Sequence, residues 1–230
     1  MNVNGLKLIK KLKLKKYREE FGMFIVEGRR LCEEARQSGA EIVFEVTADE
    51  IGEREFKKLS EVETPQGVLM IVKRSEPKPL RAEGLIPVLD GLQEPGNVGG
   101  IIRTAAAIGC RQVITLEDTV DAFNPKAVRA SMGGIFKLDV ISMSRAELLQ
   151  SGLQLTAAAL DGEPYDRFRF GKTTALVLGS EARGVARSIL EKSARISIPM
   201  VGMESLNVNV AAGILMYEWR RQSIDCRFCP

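Results

Sequence analysis

The chain has no histidine among its 230 residues. That absence excludes imidazole general bases, His-containing catalytic triads and His-ligated zinc. Proton chemistry must then fall to carboxylates, Lys, Tyr, Cys, Arg or the substrate itself. Aromatic residues make up only 6%, with one Trp and three Tyr. The four cysteines, Cys32, Cys110, Cys226 and Cys229, do not form a disulfide framework for a chain of this length, so a reduced, cytoplasmic protein is expected. One Cys-x-x-Cys pair at the end, without a second pair or a His, reads as incidental thiols, and no metal is expected. No uncharged apolar run reaches the roughly eighteen residues of a membrane span. The N-terminal lysines are followed by no long apolar stretch, so no signal peptide is expected. There is no internal repeat and no low-complexity tract.

What is present is an ordinary apolar share of 45% and a net charge of +3 that is unevenly placed. Residues 1–30 hold nine Lys or Arg against three Glu, leaving 24 basic and 27 acidic residues of the chain's 33 and 30 for the remainder. A basic arm on a near-neutral body suits a polyanion, most simply nucleic acid, although a solvated helix face would look the same.

Periodicity divides the chain in two. Residues 4–20 read as a basic amphipathic helix with Leu8, Ile9 and Leu12 on one side. Strands at Phe24–Val26, Ile42–Val46 and Gly67–Val72 alternate with helices at Arg29–Ser38 and Glu53–Leu59, giving a small α/β domain over 1–75. Residues 76–84, with Pro77 and Pro79 in or beside charged positions, read as a linker. The pattern restarts over 85–230. Strands are expected at Ile86–Asp90, Gln112–Thr115, Lys137–Val140, Leu155–Ala159, Ala175–Gly179 and Ala194–Ile198. Helices are expected at Gly100–Ile108, Pro125–Met132, Arg145–Gln150, Gly184–Glu191 and Asn207–Arg221. The implied class is α/β, with a mostly parallel sheet and a crevice at the strand C-terminal ends.

Two phosphate-loop readings fail on spacing. Gly171-Lys172-Thr173 has the end of a nucleotide-binding P-loop, but the required glycine five residues earlier is Asp166, and a strand follows. Gly96-Asn97-Val98-Gly99-Gly100 does not match the dinucleotide fingerprint Gly-x-Gly-x-x-Gly.

Three other segments share one design, a strand followed by a turn of small residues carrying one or two polar groups. They are Leu89 to Thr104, Leu176 to Val185, and Ile196 to Val208. Small residues admit a ligand close to the backbone. Ser205 is also a candidate N-cap for the last helix. In order, these segments resemble motifs 1, 2 and 3 of the SpoU (TrmH-like) branch of the SPOUT RNA methyltransferases. Motif 1 is matched by Asn97-Val98-Gly99 with Arg103. Motif 2 is matched by Leu178-Gly179-Ser180-Glu181 with Gly184. Motif 3 is matched by Ile198-Pro199-Met200 followed by Ser205-Leu206-Asn207-Val208 and Ala211. The segment Lys126 to Gly133 is similar to a further family segment. The likeness spans about residues 85–222, and residues 5–72 are similar to the small RNA-binding domain that precedes many of these enzymes.

The resemblance implies transfer of a methyl group from S-adenosyl-L-methionine to a ribose 2′-hydroxyl of RNA, with ribosomal RNA favoured by the extra domain. A tRNA ribose methyltransferase and a non-catalytic RNA-binding or ribosome-assembly protein are the alternatives. It also implies a C-terminal trefoil knot, a homodimer, and no membrane or metal. The expected catalytic group is Arg103, holding the phosphate next to the target ribose. Asn97, Glu181, Ser205 and Asn207 are expected to orient that ribose, the Arg or the cofactor. Leu178, Gly179, Ile198, Met200, Ser205 and Leu206 are expected to line the cofactor pocket. Lys10, Lys13, Arg29, Arg30, Lys126 and Arg129 are the expected RNA contacts.

Overall fold

The structure is a computed structural model that describes residues 3–76 and 78–223. Cys226 and Cys229 lie outside the described residues. The small N-terminal part runs α1 (Val3–Leu12), α2 (Lys15–Phe21), β1 (Met23–Glu27), α3 (Arg29–Gln37), β2 (Ile42–Thr47), α4 (Ala48–Ile51), α5 (Glu53–Leu59) and β3 (Val68–Lys73). Its antiparallel sheet has the order β1-β3-β2. The large part runs β4 (Leu85–Asp90), α6 (Pro95–Ala107), β5 (Gln112–Thr115), α7 (Pro125–Ala130), a 3-10 turn (Gly134–Phe136), β6 (Asp139–Ser142), α8 (Arg145–Gln150), β7 (Leu155–Pro164), β8 (Thr174–Gly179), α9 (Arg187–Leu190), β9 (Ala194–Ser197) and α10 (Val208–Ser223).

The expected parallel sheet is complete, with six strands in the order β6-β5-β4-β8-β7-β9 and every pairing parallel. The chain leaves β4 in one direction through β5 to β6, then returns to build β8, β7 and β9 on the other side. The reversal lies between β4 and β8, the place where open α/β sheets bind ligands.

Strand alternation sorts side chains into layers. Leu85 and Leu89 face one core, while Ile86 and Val88 face the other. In the small sheet Phe24, Val26, Met70 and Val72 join the same core as Leu85 and Leu89, and Ile25, Leu69 and Ile71 pack under α1 and α5 against Ile9, Leu12, Phe56 and Leu59. The two sheets therefore share one apolar layer, in which Phe24 and Phe123 lie 5.1 Å apart, centroid to centroid.

Several boundaries differ from the sequence expectation, each for a local reason. The 4–20 helix is two helices, with Leu14 extended between them at ψ 134°. That break turns Arg18 inward: it is only 2% exposed, donates to Asp121 at 2.6 Å, and donates to the Leu12 and Lys13 carbonyls at 2.8 Å each. Helix α6 begins at Pro95 rather than Gly100. Proline at the first helical position needs no N–H partner, and the Glu94 side chain accepts from the Gly96 N–H at 3.2 Å. β6 starts two residues later than expected because the Gly133-Gly134 pair folds the chain into a 3-10 turn first. The expected 184–191 helix shrinks to Arg187–Leu190, because residues 180–184 form a tight bridge closed by Gly184 at φ +67°.

Candidate functional site

The loops after β4, β8 and β9 emerge at the same end of the parallel sheet, so the three segments singled out by sequence meet there. Their contact is a chain of amides and a carboxylate. Asn207 donates through Nδ2 to Asn97 Oδ1 at 3.1 Å, and Asn97 donates through its own Nδ2 to Glu181 Oε1. One polar residue from each loop is thereby fixed by another. Asn97 sits in the first turn of α6, not in an open turn. Asn207, not Ser205, caps α10: its Oδ1 accepts from the Asn209 N–H at 3.0 Å and from the Val210 N–H at 3.4 Å.

Arg103 lies on the same helix six residues on, a rise of about 9 Å. It is exposed, and among the described residues its side chain takes part in no hydrogen bond or ion pair. Glu181 therefore orients Asn97 rather than Arg103, and the guanidinium keeps all of its donors for a ligand.

Beside this chain is a cavity of about 460 Å³. Leu178, Gly179, Ile198, Met200, Ser205 and Leu206 all line it, together with Glu181. Its backbone shape depends on Gly179. A Cβ there would collide with the Gly184 backbone, so only glycine lets the 180–184 loop fold back over the strand end. The volume falls in the range of small-molecule sites, and a mainly apolar lining with Ser180, Ser205 and Glu181 at its polar points suits a ligand that combines a flat ring with polar groups. A larger cleft of about 650 Å³ lies between the small part and the β6 edge. There Lys73, Lys78 and Arg111 are already paired with Glu41, Asp139 and Glu83, and none of the motif residues reach it.

One residue behind the cavity escaped the sequence reading. Asp90 ends β4 and is 2% exposed. Its Oδ1 accepts from Arg145 Nε at 2.8 Å and its Oδ2 accepts from the Ala186 N–H at 2.7 Å. It thus ties the cavity-forming loop after β8 to α8. Burial pulls the Arg145 pKa down, but the hydrogen bond and charge of Asp90, with Glu117 and Asp118, leave it above the ordinary value. A strand-end Asp in an apolar run carries a sequence signal, but its partners are 55 and 96 residues away.

The expected RNA contacts divide. Lys10, Arg29, Arg30 and Lys126 are exposed. Arg29 also donates from Nε to the Gln66 carbonyl at 3.3 Å, and Lys126 pairs with Glu94 at 2.6 Å, which holds the Glu94 carboxyl below its usual range. Lys13 is half-buried and 4.0 Å from Glu61. Arg129 is not a free surface cation: it lies inward at 28% side-chain exposure, 3.8 Å from the buried Glu27 carboxylate.

An α/β chain with a parallel sheet covered on both faces, a cavity at the ends of β7, β8 and β9, and three motif loops in mutual contact defines a class of ligand-binding α/β proteins acting at strand ends. Within that class, residues 84–217 match the SpoU rRNA Methylase family and residues 4–55 match the MRM3-like substrate binding domain. The chain belongs to the SpoU rRNA methylase family. It is 34% identical to the 23S rRNA (guanosine(2553)-2′-O)-methyltransferase RlmP of Bacillus subtilis, over 92% of this chain and 94% of that one. Its fold is similar to the AdoMet-bound rRNA methyltransferase from Sinorhizobium meliloti (TM-score 0.87, 28% identity, 97% and 96% of the chains) and to the SpoU methyltransferase AviRb from Streptomyces viridochromogenes in complex with AdoMet (TM-score 0.81, 27% identity, 96% and 98%).

Proposed function

We propose that this chain is an S-adenosyl-L-methionine-dependent RNA 2′-O-ribose methyltransferase acting on 23S-type ribosomal RNA. The observation that carries this reading is the Asn207–Asn97–Glu181 chain joining three motif loops beside a cavity lined by all six expected cofactor residues. S-adenosylmethionine supplies the electrophilic methyl group when bound. The rest is positioning. A ribose hydroxyl is a weak nucleophile and needs to be held in line with its target. Arg103, with uncommitted donors, holds the neighbouring phosphate by a bidentate contact. Asn97, pinned by Glu181 and Asn207, orients the hydroxyl, and Ser205 adds a hydroxyl at the cavity wall. Leu178, Gly179, Ile198, Met200, Ser205 and Leu206 would hold the methyl donor, so that its methyl group would be offered to the ribose O2′.

The reading extends to a division into a substrate domain (1–75), a linker (76–84) and a catalytic domain (85–230), to a trefoil knot in the last of these, to a homodimer, and to a cytoplasmic location. The homodimer draws support from apolar residues left on one end: Val201, Met203, Val210 and Tyr217 are 102%, 72%, 51% and 56% exposed. Among the described residues no helix is long and apolar enough to cross a membrane.

Incubation with unmodified ribosomal RNA and a labelled methyl donor tests the function. Label is expected on ribose O2′; label on a base, or none on any ribosomal RNA, overturns it. Calorimetric titration with S-adenosylmethionine separates the enzyme from a non-catalytic RNA-binding protein. Light scattering in solution reads the oligomeric state.

A further inference from the structure

We propose that the pocket between β1, α3 and the end of α7 is a subsite for one unstacked base of the RNA substrate, adjacent to the nucleotide that is methylated. This rests on the RNA reading above. The pocket holds about 340 Å³, enough for a base but small for a larger ligand. Glu27, Leu31, Val62, Gln66, Arg129 and Met132 form its walls.

The chemistry of the ligand is written in Arg129. Among the described residues, its Nη1 is the only buried side-chain nitrogen or oxygen with no hydrogen-bond partner. The carboxylate it faces, Glu27 Oε2, is 3.8 Å away, beyond hydrogen-bonding reach. Glu27 is already committed, accepting from the Ser60 hydroxyl and, at 3.3 Å, from the Glu61 N–H. The ion pair therefore holds the guanidinium by its buried Nη1, while the other N–H groups of this 28% exposed side chain hydrogen-bond nothing among the described residues and remain open to the pocket. A ligand bearing carbonyl or ring-nitrogen acceptors complements it, and guanine, with adjacent O6 and N7, does so best. RNA is read in this manner, through unstacked bases whose edges are hydrogen-bonded and whose faces are covered.

Met132 supplies the face. It lines the pocket, is 37% exposed, and has φ +48°, a left-handed angle that side-chain-bearing residues seldom adopt. A thioether packs well on a π face. The position relative to Arg103 follows from the next two residues. Gly134 lies so close to α6 that a Cβ would come within 3.1 Å of Arg103 Cα, and Gly133 does the same to Glu34 of α3. Met132 is thus two residues, about 7 Å at full extension, from the glycine that packs on the backbone of Arg103. Arg30, which lines the pocket, and Arg29, hydrogen-bonded to its wall residue Gln66, are exposed at the start of α3 and suit the following phosphate.

The test uses the full chain and an unmodified 23S rRNA transcript carrying 6-thioguanosine, cross-linked by near-ultraviolet light. A cross-link is expected from a peptide containing Met132 or Gln66 to a nucleotide within one or two positions of the methylated ribose. Met132→Gly, at an angle that glycine favours, is expected to lower kcat/KM for the transcript about five- to tenfold, the scale of one lost stacking contact, with the S-adenosylmethionine dissociation constant unchanged as the check on folding. Cross-links confined to peptides of the 460 Å³ cavity, or a wild-type kcat/KM for Met132→Gly, overturn the subsite. A transcript that cross-links at Met132 but is never methylated sinks the methyl-transfer reading and leaves the pocket standing as a base subsite of a non-catalytic RNA-binding protein.

Discussion

Two arginines mark two regions of opposite character. Arg18 sits at the joint between the small sheet and the large one, 2% exposed, with its donors committed to Asp121 and two backbone carbonyls. Arg103 sits at the open end of the sheet, exposed, with no partner among the described residues. The joint is aromatic: Phe24, Phe123 and Phe136 cluster there, and Arg74 lies 4.0 Å over the Phe123 ring. Burial holds the Arg74 pKa below its ordinary value. The site end is polar and carries exposed apolar residues from 201 to 210. The difference teaches that charge in this chain has two uses. Where donors are committed to the protein the cation fastens two sheets together; where they are free it is available to a substrate.

The largest effect expected from this contrast is on stability at the joint. Arg18→Ala leaves Asp121 buried at 11% side-chain exposure without its cation. Loss of one partner of a buried pair costs about 3–5 kcal/mol. Urea unfolding should show that loss, and the double variant with Asp121→Asn should cost less than the sum of the two singles, since the pair acts as a unit. A loss below 1 kcal/mol would mean that the pair does not fasten the joint.

At the other region the effect moves from stability to rate. Arg103→Ala is expected to lower kcat about 10²- to 10³-fold, the scale of removing one preorganised electrostatic contact, while stability changes by no more than about 0.5 kcal/mol. Arg103→Lys should not restore the rate, because an ammonium cannot make the bidentate contact. Normal turnover in either variant removes Arg103 from the mechanism.

Asp90 tests whether the contrast is complete, since it is a buried group that serves the open site. Asp90→Asn removes the charge facing Arg145 and weakens the anchor on the Ala186 N–H. A hydrogen bond to a charged group contributes about 1.5–3 kcal/mol, so S-adenosylmethionine affinity should fall on the order of tenfold as the loop after β8 loosens. An unchanged dissociation constant would show that the loop holds its shape without the clamp.

Much of the fold was legible because parallel strands buried on both faces carry long apolar runs, as Leu85 to Leu89 and Ala175 to Leu178 do. The site loops were legible because their small and polar residues follow such strands directly. Three things were not. The break at Leu14, and with it the inward turn of Arg18, depends on Asp121 at a separation of 103 residues. The helical state of Asn97 depends on Pro95 and Glu94 starting a helix through Gly96, Gly99 and Gly100, which local propensity penalises. The last two serve packing instead: a Cβ at Gly99 would strike the Ala127 carbonyl of α7, and one at Gly100 would come within 2.5 Å of Asn209 in α10. Arg129 read as a surface cation because nothing local announces Glu27 across the joint.

The smallest effect is expected at the two buried thiols, and it sharpens the comparison from the joint side. Cys32 and Cys110 both lie in the core shared by the two sheets, and burial pushes each thiol up to about 12. An ordinary cysteine has a pKa near 8.5, so at pH 8 the thiolate population here is lower by about three powers of ten. Iodoacetamide should therefore leave both residues unlabelled in the folded chain, with no effect on transfer activity, and should label them only as denaturant opens the joint. In Arg18→Ala the Cys32 peptide should begin to label at lower denaturant than in the parent chain, because the fastening that keeps the two sheets closed has been removed. Equal labelling of Cys32 in the folded and unfolded parent would show that the joint is open to solvent, contrary to the packing of Phe24 on Phe123.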